Sequence, residues 1–185
     1  LSVIQKLNHF GCNLVVVPYN TSYEEVMRFK PDGLFLSEGP GNPEELTETV
    51  NLVKKLRGVL PILGIGLGHQ IIALAYGAKI YKMKTGQHGS NIPVKNVLTN
   101  KIEITSQNHN YAVDNNSLEE RGLINTHINL LDGHVEGMKD ETNNVISMQF
   151  CPGNEKAGDC ECLFNKFSEL MIKAGGNGNA KENRY

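Results

Sequence analysis

Residues 59–78 read VLPILGIGLGHQIIALAYGA, and this stretch decides the fold. An apolar run leads into a glycine-rich turn at residues 64–68, and a second apolar run follows. The pattern predicts a buried strand over 61–65 and a helix over 68–76 that Gly77 ends. In a G-x-Nuc-x-G turn of this kind the middle residue carries the attacking side chain. Here the middle residue is Gly66, which has no side chain.

The elements before this turn alternate between helix and strand. Strand–helix–strand units at this spacing predict an α/β fold, a doubly wound, mostly parallel sheet flanked by helices. Such a fold normally starts with a strand, so its first strand is expected to be missing here. The predicted elements are a helix over 1–9, a strand buried on both faces over 13–20 (NLVVVPYN), a helix over 22–28 with Ser22 as N-cap, a strand from 32 and a helix over 44–57.

The second half of the chain has a different pattern, with short strands joined by turns. It predicts additional antiparallel strands and one closing helix. A single domain over 1–173 is expected, followed by a Gly- and Asn-rich tail over 174–185 that is predicted to be disordered. The predicted strands cover 79–84, 93–98, 101–106, 124–130, 134–139 and 144–150, and the helix covers 159–173.

The composition is that of an ordinary soluble globular protein, with 39% hydrophobic and 21% charged residues and a net charge of −2. No basic excess indicates nucleic acid, and no apolar run is long enough to span a membrane. No secretory signal is visible, so a cytoplasmic location is expected, with an organelle left open. No metal or cofactor is predicted. The four cysteines fit no zinc pattern and are predicted to be free thiols: Cys12, Cys151, Cys160 and Cys162.

The glycine turn has three interpretations. A helix N-terminus with free N–H groups favours negative charge, as a catalytic turn requires. The glycines could instead serve only tight packing of strand against helix. A dinucleotide loop fits poorly, because it needs glycine at His69 and an acidic residue after the next strand, where KIYKMK (79–84) is basic.

Six separated motifs carry a family resemblance. They are LSEGPGNP (36–43), LGIGLGHQIIALAYGAKIYKMK (63–84), GQHGSNIPVK (86–95), ITSQNHNYAVD (104–114), DGHVEGM (132–138) and MQFCPG (148–153). Together they resemble the class I glutamine amidotransferase domain of the carbamoyl phosphate synthetase small subunit. The resemblance implies a flavodoxin-like fold, hydrolysis of glutamine to glutamate and ammonia, and partnership with a large ATP-using synthetase subunit. That partner would use the ammonia to make carbamoyl phosphate, for pyrimidine and arginine biosynthesis.

The catalytic residues of that family do not occur at the matching positions. Its nucleophilic cysteine corresponds to Gly66, its basic histidine to Cys151 and its orienting glutamate to Gly153. Because such residues act as a unit, we predict that the chain lacks glutaminase activity. His69 and His109 do not correspond to the family's base, and a structural role is expected for both.

More of the family's substrate-binding residues than of its catalytic residues have a match in this chain. We call the matching positions the predicted glutamine cradle. The resemblance implies that their backbone and side chains hold glutamine and an oxyanion. Two positions depart from the family. At position 38 this branch of the family often has asparagine, where this chain has Glu38. At position 110 the family commonly has glycine, where this chain has Asn110. A non-catalytic glutamine-sensing or partner-docking module is the alternative function, and a degenerate or designed chain is a further interpretation. The cradle comprises Gly39, Gly41, Leu67, Gln70, Asn108, Asn110 and Tyr111.

Overall fold

The computed structural model describes residues 3–150 and 158–175, with side chains from residue 163 onward in the last helix. Cys151 and Gly153 therefore lie outside the described residues, as do the side chains of Cys160 and Cys162. The helices are α1 (Val3–His9), α2 (Tyr23–Arg28), α3 (Thr47–Leu56), α4 (Leu67–Ala75) and α5 (Gly158–Gly175). The strands are β1 (Leu34–Leu36), β2 (Ile62–Ile65), β3 (Ile80–Asn96), β4 (Ile102–Val113), β5 (Ile124–Asn129), β6 (Val135–Asp140) and β7 (Val145–Met148).

The seven strands of the described residues form one sheet, in the order β1-β2-β7-β6-β4-β3-β5. β1, β2 and β7 pair in parallel, whereas the remaining pairings are antiparallel. β5 also pairs with β6, so β6, β4, β3 and β5 close into a ring of pairings. The predicted α/β class, with antiparallel strands added by the second half of the chain, is confirmed. The sheet is mixed and not mostly parallel, because two of its pairings are parallel and five are antiparallel.

Helices cover both faces of the parallel strands. Successive strand residues point to opposite faces, and β2 shows this directly, since Ile62 packs with α3 and α4 while Leu63 packs with α1 and α5. β1 follows the same rule, with Leu36 on the first face and Phe35 on the second. The glycine turn therefore lies at the carboxyl end of a strand that is buried on both sides.

Local signals place α2 as predicted, but α3 differs from the prediction. Ser22 caps α2, because its hydroxyl accepts from the Glu25 backbone N–H at 3.3 Å and the Glu25 carboxylate accepts from the Ser22 backbone N–H at 3.0 Å. The helix predicted over 44–57 is divided: a 3₁₀ turn over Pro43–Glu45 precedes α3, and Leu46 between them has a non-helical ψ of 51°.

The prediction of a strand over 13–20 is wrong. Residues 13–18 form no regular element, residues 19–20 lie in a turn, and Val15 and Val16 are 61% and 79% exposed. β-branched residues favour a strand only where a neighbouring strand supplies backbone partners, and among the described residues the sheet ends at β1 without pairing to this segment.

Further boundaries differ from the prediction. The strand expected over 101–106 continues to Val113 as β4. The separate strands expected at 79–84 and 93–98 belong to one strand, β3. Its pairing with β4 continues from one segment to the other through two irregular points, at which the register shifts. Residues 174–175 of the predicted tail belong to α5, and 176–185 lie outside the described residues. Among the described residues, no helix combines the length and apolarity needed to cross a membrane.

Candidate active site

Gly66 adopts the strained conformation of a strand-to-helix elbow. It lies between β2 and α4 with φ 58° and ψ −112°, which residues with a side chain rarely adopt. Its backbone N–H donates to the Met148 carbonyl of β7 at 2.9 Å, and its own carbonyl accepts from the His69 N–H at 3.1 Å. These bonds fix the turn from both sides, so the elbow geometry exists without a nucleophile.

The outer glycines of the turn are explained by packing. A Cβ on Gly64 would lie 2.7 Å from the Gly68 carbonyl carbon. A Cβ on Gly68 would lie 2.6 Å from the Leu36 Cβ and still closer to the Leu36 carbonyl oxygen. The first turn of α4 therefore lies directly against β1 and β2. Tight packing and elbow geometry are both present, and neither interpretation excludes the other.

The glycine–proline loop after β1 closes over the elbow. A Cβ placed on Gly66 would lie 3.0 Å from the Glu38 Cβ, and one on Gly39 would lie 3.1 Å from a methyl of Leu67. Gly41 in the same loop has φ 110°, a value that favours glycine. The structure thus brings together the predicted cradle residues Gly39 and Leu67 with Gly66, and it places Glu38 beside Gly66, the predicted nucleophile position.

Gln70 joins the elbow helix to the neighbouring strands. Its side-chain Nε2 donates to the Gln149 Oε1 at 2.9 Å and to the Tyr111 carbonyl at 3.1 Å. Both hydrogens of this amide nitrogen are therefore used, and the oxygen Oε1 is the end that could meet a ligand. Gln149 is held in turn, because its backbone N–H donates to the Glu136 carbonyl of β6.

Asn108 and Asn110 lie on the exposed face of β4. Even-numbered residues from 102 to 110 are exposed on this strand, while the odd-numbered ones point inward. Asn110 does not have a positive φ, so its presence at a position where the family commonly has glycine needs no left-handed backbone. Both side chains contact His88 on β3, a residue that sequence reasoning missed. Among the described residues, hydrogen bonds link this strand to the elbow helix through Tyr111 and Gln70.

A buried polar layer lies behind the elbow. His69 is fully buried, its Nδ1 lies 2.9 Å from the Ser147 hydroxyl, and burial lowers its pKa to about 3. Burial also lowers the pKa of His109, whose Nδ1 contacts the Tyr111 carbonyl. Both histidines are therefore neutral and packed, which suits the structural role expected for them.

Glu136 is a second residue that sequence reasoning missed. Its carboxyl is fully buried, and burial raises its pKa to about 8. One oxygen accepts from the Asn129 amide at 3.1 Å, and the Gln107 side chain also acts on this carboxyl, both of them opposing the rise in its pKa. Its position within DGHVEGM gave no sign of burial, because charged residues are rarely buried without an ionic partner.

A family model named glutamine amidotransferase class-I matches residues 1–170. The chain belongs to the class-I glutamine amidotransferase family. Its amidotransferase fold also matches a solved structure from Thermoplasma acidophilum, assigned to GMP synthase, with a TM-score of 0.77 and 25% identity over 94% of this chain and 88% of that one.

Curated relatives that match this chain include carbamoyl phosphate synthase small chains. The carbamoyl phosphate synthase small chain of Caldanaerobacter subterraneus is 46% identical over 174 residues, covering 92% of this chain and 48% of that protein. The small chain of Clostridium acetobutylicum is 47% identical over 169 residues, covering 91% and 48%. This amidotransferase chain thus spans about half the length of the curated relatives it matches.

Proposed function

We propose that this chain is a glutamine-binding amidotransferase domain of the carbamoyl phosphate synthase type that does not hydrolyse glutamine. One observation carries the proposal: the elbow is built and held, yet Gly66 presents no atom that could form a thioester. The identity of about 45% to small chains supports the carbamoyl phosphate branch. Cys151 and Gly153, at the base and orienting-acid positions, complete the expected loss of catalysis.

Substrate binding is supported by the part of the cradle that the structure assembles. The loop with Gly39 and Gly41 closes on Leu67, and backbone N–H groups at the start of α4 are suited to a negative oxygen. Gln70 is anchored at its nitrogen, which leaves its oxygen as an acceptor for an ammonium or amide group. The ligand proposed for this cradle is therefore glutamine, held but not cleaved.

The activity test measures glutamate release from glutamine, with and without the large synthetase chain of a relative. We expect no release above buffer, because an oxyanion hole without a nucleophile leaves only residual catalysis. Turnover of roughly 1 s⁻¹, an ordinary enzymatic rate, would contradict the proposal. Calorimetric titration with glutamine, run on the same preparation, separates a binding module from a chain that has lost the ligand as well.

Restoring the chemistry tests whether the cradle is intact. The variant carries Gly66→Cys, Cys151→His and Gly153→Glu. A Cβ at position 66 approaches the Glu38 Cβ to 3.0 Å, and any residue but glycine at 38 keeps that atom, so a second version adds Glu38→Gly. Glu38→Gly alone is the matched control. Glutaminase activity in either restored version, absent from the control, is the expected result; inactivity in both would argue against a preserved glutamine cradle.

A partner-docking role is the second candidate. The small-chain relatives are about twice as long as this chain, and the proposed partner is a large ATP-using synthetase subunit. If calorimetry shows no glutamine binding while the large chain still binds in a pull-down, docking replaces glutamine binding as the proposed function.

A further inference from the structure

His88 lies between two residues of the predicted cradle. It is directly opposite Asn108 in the β3–β4 register. Its Nδ1 is 2.7 Å from the Asn108 Oδ1, and its Nε2 is 3.2 Å from the Asn110 Oδ1. We propose that His88 is a positioning residue that orients the Asn108 amide for a ligand carboxylate. This inference rests on the proposed function, because it assumes that the cradle binds glutamine.

The strand geometry explains how one ring reaches both asparagines. Side chains two residues apart on a strand lie on the same face, so Asn108 and Asn110 project side by side from β4. The pairing of residues 87–89 with 107–109 is bounded by register shifts at both ends, which separates this short stretch from the rest of the hairpin. The His88 ring is thereby placed over the gap between the two amides.

Gly86 provides the space for this arrangement. A Cβ at residue 86 would collide with the Asn110 Oδ1 and with the His88 Nε2. A glycine two residues before the histidine is thus required by the contact itself. The bulged part of β3 between residues 82 and 87 brings this glycine under the ring.

The shorter contact determines which end of the Asn108 amide is presented to a ligand. An asparagine amide has an accepting oxygen on one side and a donating NH₂ group on the other, and a neutral imidazole donates from one ring nitrogen only. The 2.7 Å contact of Nδ1 with the Asn108 Oδ1 takes that donor, so the Asn108 NH₂ group faces away from the ring. Asn108 then offers a donor, which suits a carboxylate. His88 therefore selects for the α-carboxylate of an amino-acid ligand.

The test compares L-glutamine with 4-aminobutanamide, which keeps the amide and amine but lacks the carboxylate. Calorimetry is run on the full chain with His88→Ala, on His88→Gln, whose amide can donate to an asparagine oxygen, and on Ser90→Ala as the control on the same strand. We expect His88→Ala to weaken glutamine binding by roughly three- to tenfold, the effect of a lost hydrogen bond, and to leave 4-aminobutanamide unchanged. His88→Gln should recover part of the loss, and Ser90→Ala should behave as wild type.

A ligand-free measurement separates this inference from the proposed function. The side-chain NH₂ resonances of Asn108 are followed by NMR in the same variants. They should shift in His88→Ala and return toward wild type in His88→Gln. Unchanged resonances, or equal weakening of both ligands, overturn the assignment of His88. If wild type binds no glutamine but the resonances shift, the proposed function fails and the positioning contact stands.

Discussion

Gly66 shows that a strand-to-helix elbow can form without a side chain at its apex. Its φ of 58° and ψ of −112° persist because the Met148 carbonyl and the first turn of α4 hold its backbone. The elbow geometry of this chain therefore comes from the surrounding strands and helix. A nucleophile, where one exists, would be placed by that frame and would not be needed to form it.

Substituting Gly66→Ala tests that account at a single residue. The strained conformation should cost about 1–3 kcal/mol of unfolding free energy, and the new Cβ must also displace Glu38, 3.0 Å away. Gly122→Ala is the control, because Gly122 has a left-handed φ of 73° but open space around it. Urea denaturation should show a larger loss at 66 than at 122. Equal losses would mean that the loop with Glu38 does not press on the elbow.

The contact between α4 and the parallel strands depends on a glycine inside a helix. Alanine is normally better than glycine there by about 1 kcal/mol. At Gly68 the sign should reverse, since a Cβ meets the Leu36 backbone, and overpacking costs roughly 1–3 kcal/mol. Gly89→Ala on β3 is the control, because its Cβ would meet only ordinary contacts of 3.4 Å or more. Chemical denaturation measures the unfolding free energy of each variant. If Gly68→Ala were as stable as wild type, α4 would be able to move away from β1.

Elements bounded by local signals were predictable from sequence, whereas pairing was not. The Ser22 cap and the glycine turn each act within a few residues, so α2 and α4 lie within a residue of their predicted bounds. The segment 13–20 has the residues of a buried strand, but its state depends on a neighbour distant in sequence. The contact of His88 with Asn108 likewise depends on the β3–β4 register, which a sequence motif does not contain.

Two buried titratable residues of the fold, His69 and Glu136, change its stability in opposite directions as the pH changes. Burial lowers the pKa of His69 to about 3, so the unfolded chain takes up this proton first and His69 reduces stability as the pH falls below 6.5. Burial raises the pKa of Glu136 to about 8, so the folded chain keeps a proton that the unfolded chain releases above 4.5. Glu136 therefore reduces stability as the pH rises from 4.5 to 8. Between 4.5 and 6.5 the two effects oppose each other.

Comparison with a variant that cannot ionise isolates Glu136 between pH 6.5 and 8. The unfolded-state titration of His69 and His109 is centred at 6.5 and affects wild type and variant alike, while the other groups in the described part of the chain with a resolved pKa shift change protonation below 6.5 or above 9. Relative to Glu136→Gln, the unfolding free energy of wild type should fall here by up to about 1.4 kcal/mol per pH unit. Glu136→Gln keeps the acceptor for Asn129 and cannot ionise, so its stability should lack this fall. Urea denaturation at pH 6.5, 7.25 and 8 measures both slopes. Parallel slopes would show that the Glu136 carboxyl is already ionised in the fold, and that the polar layer under the elbow tolerates a buried charge.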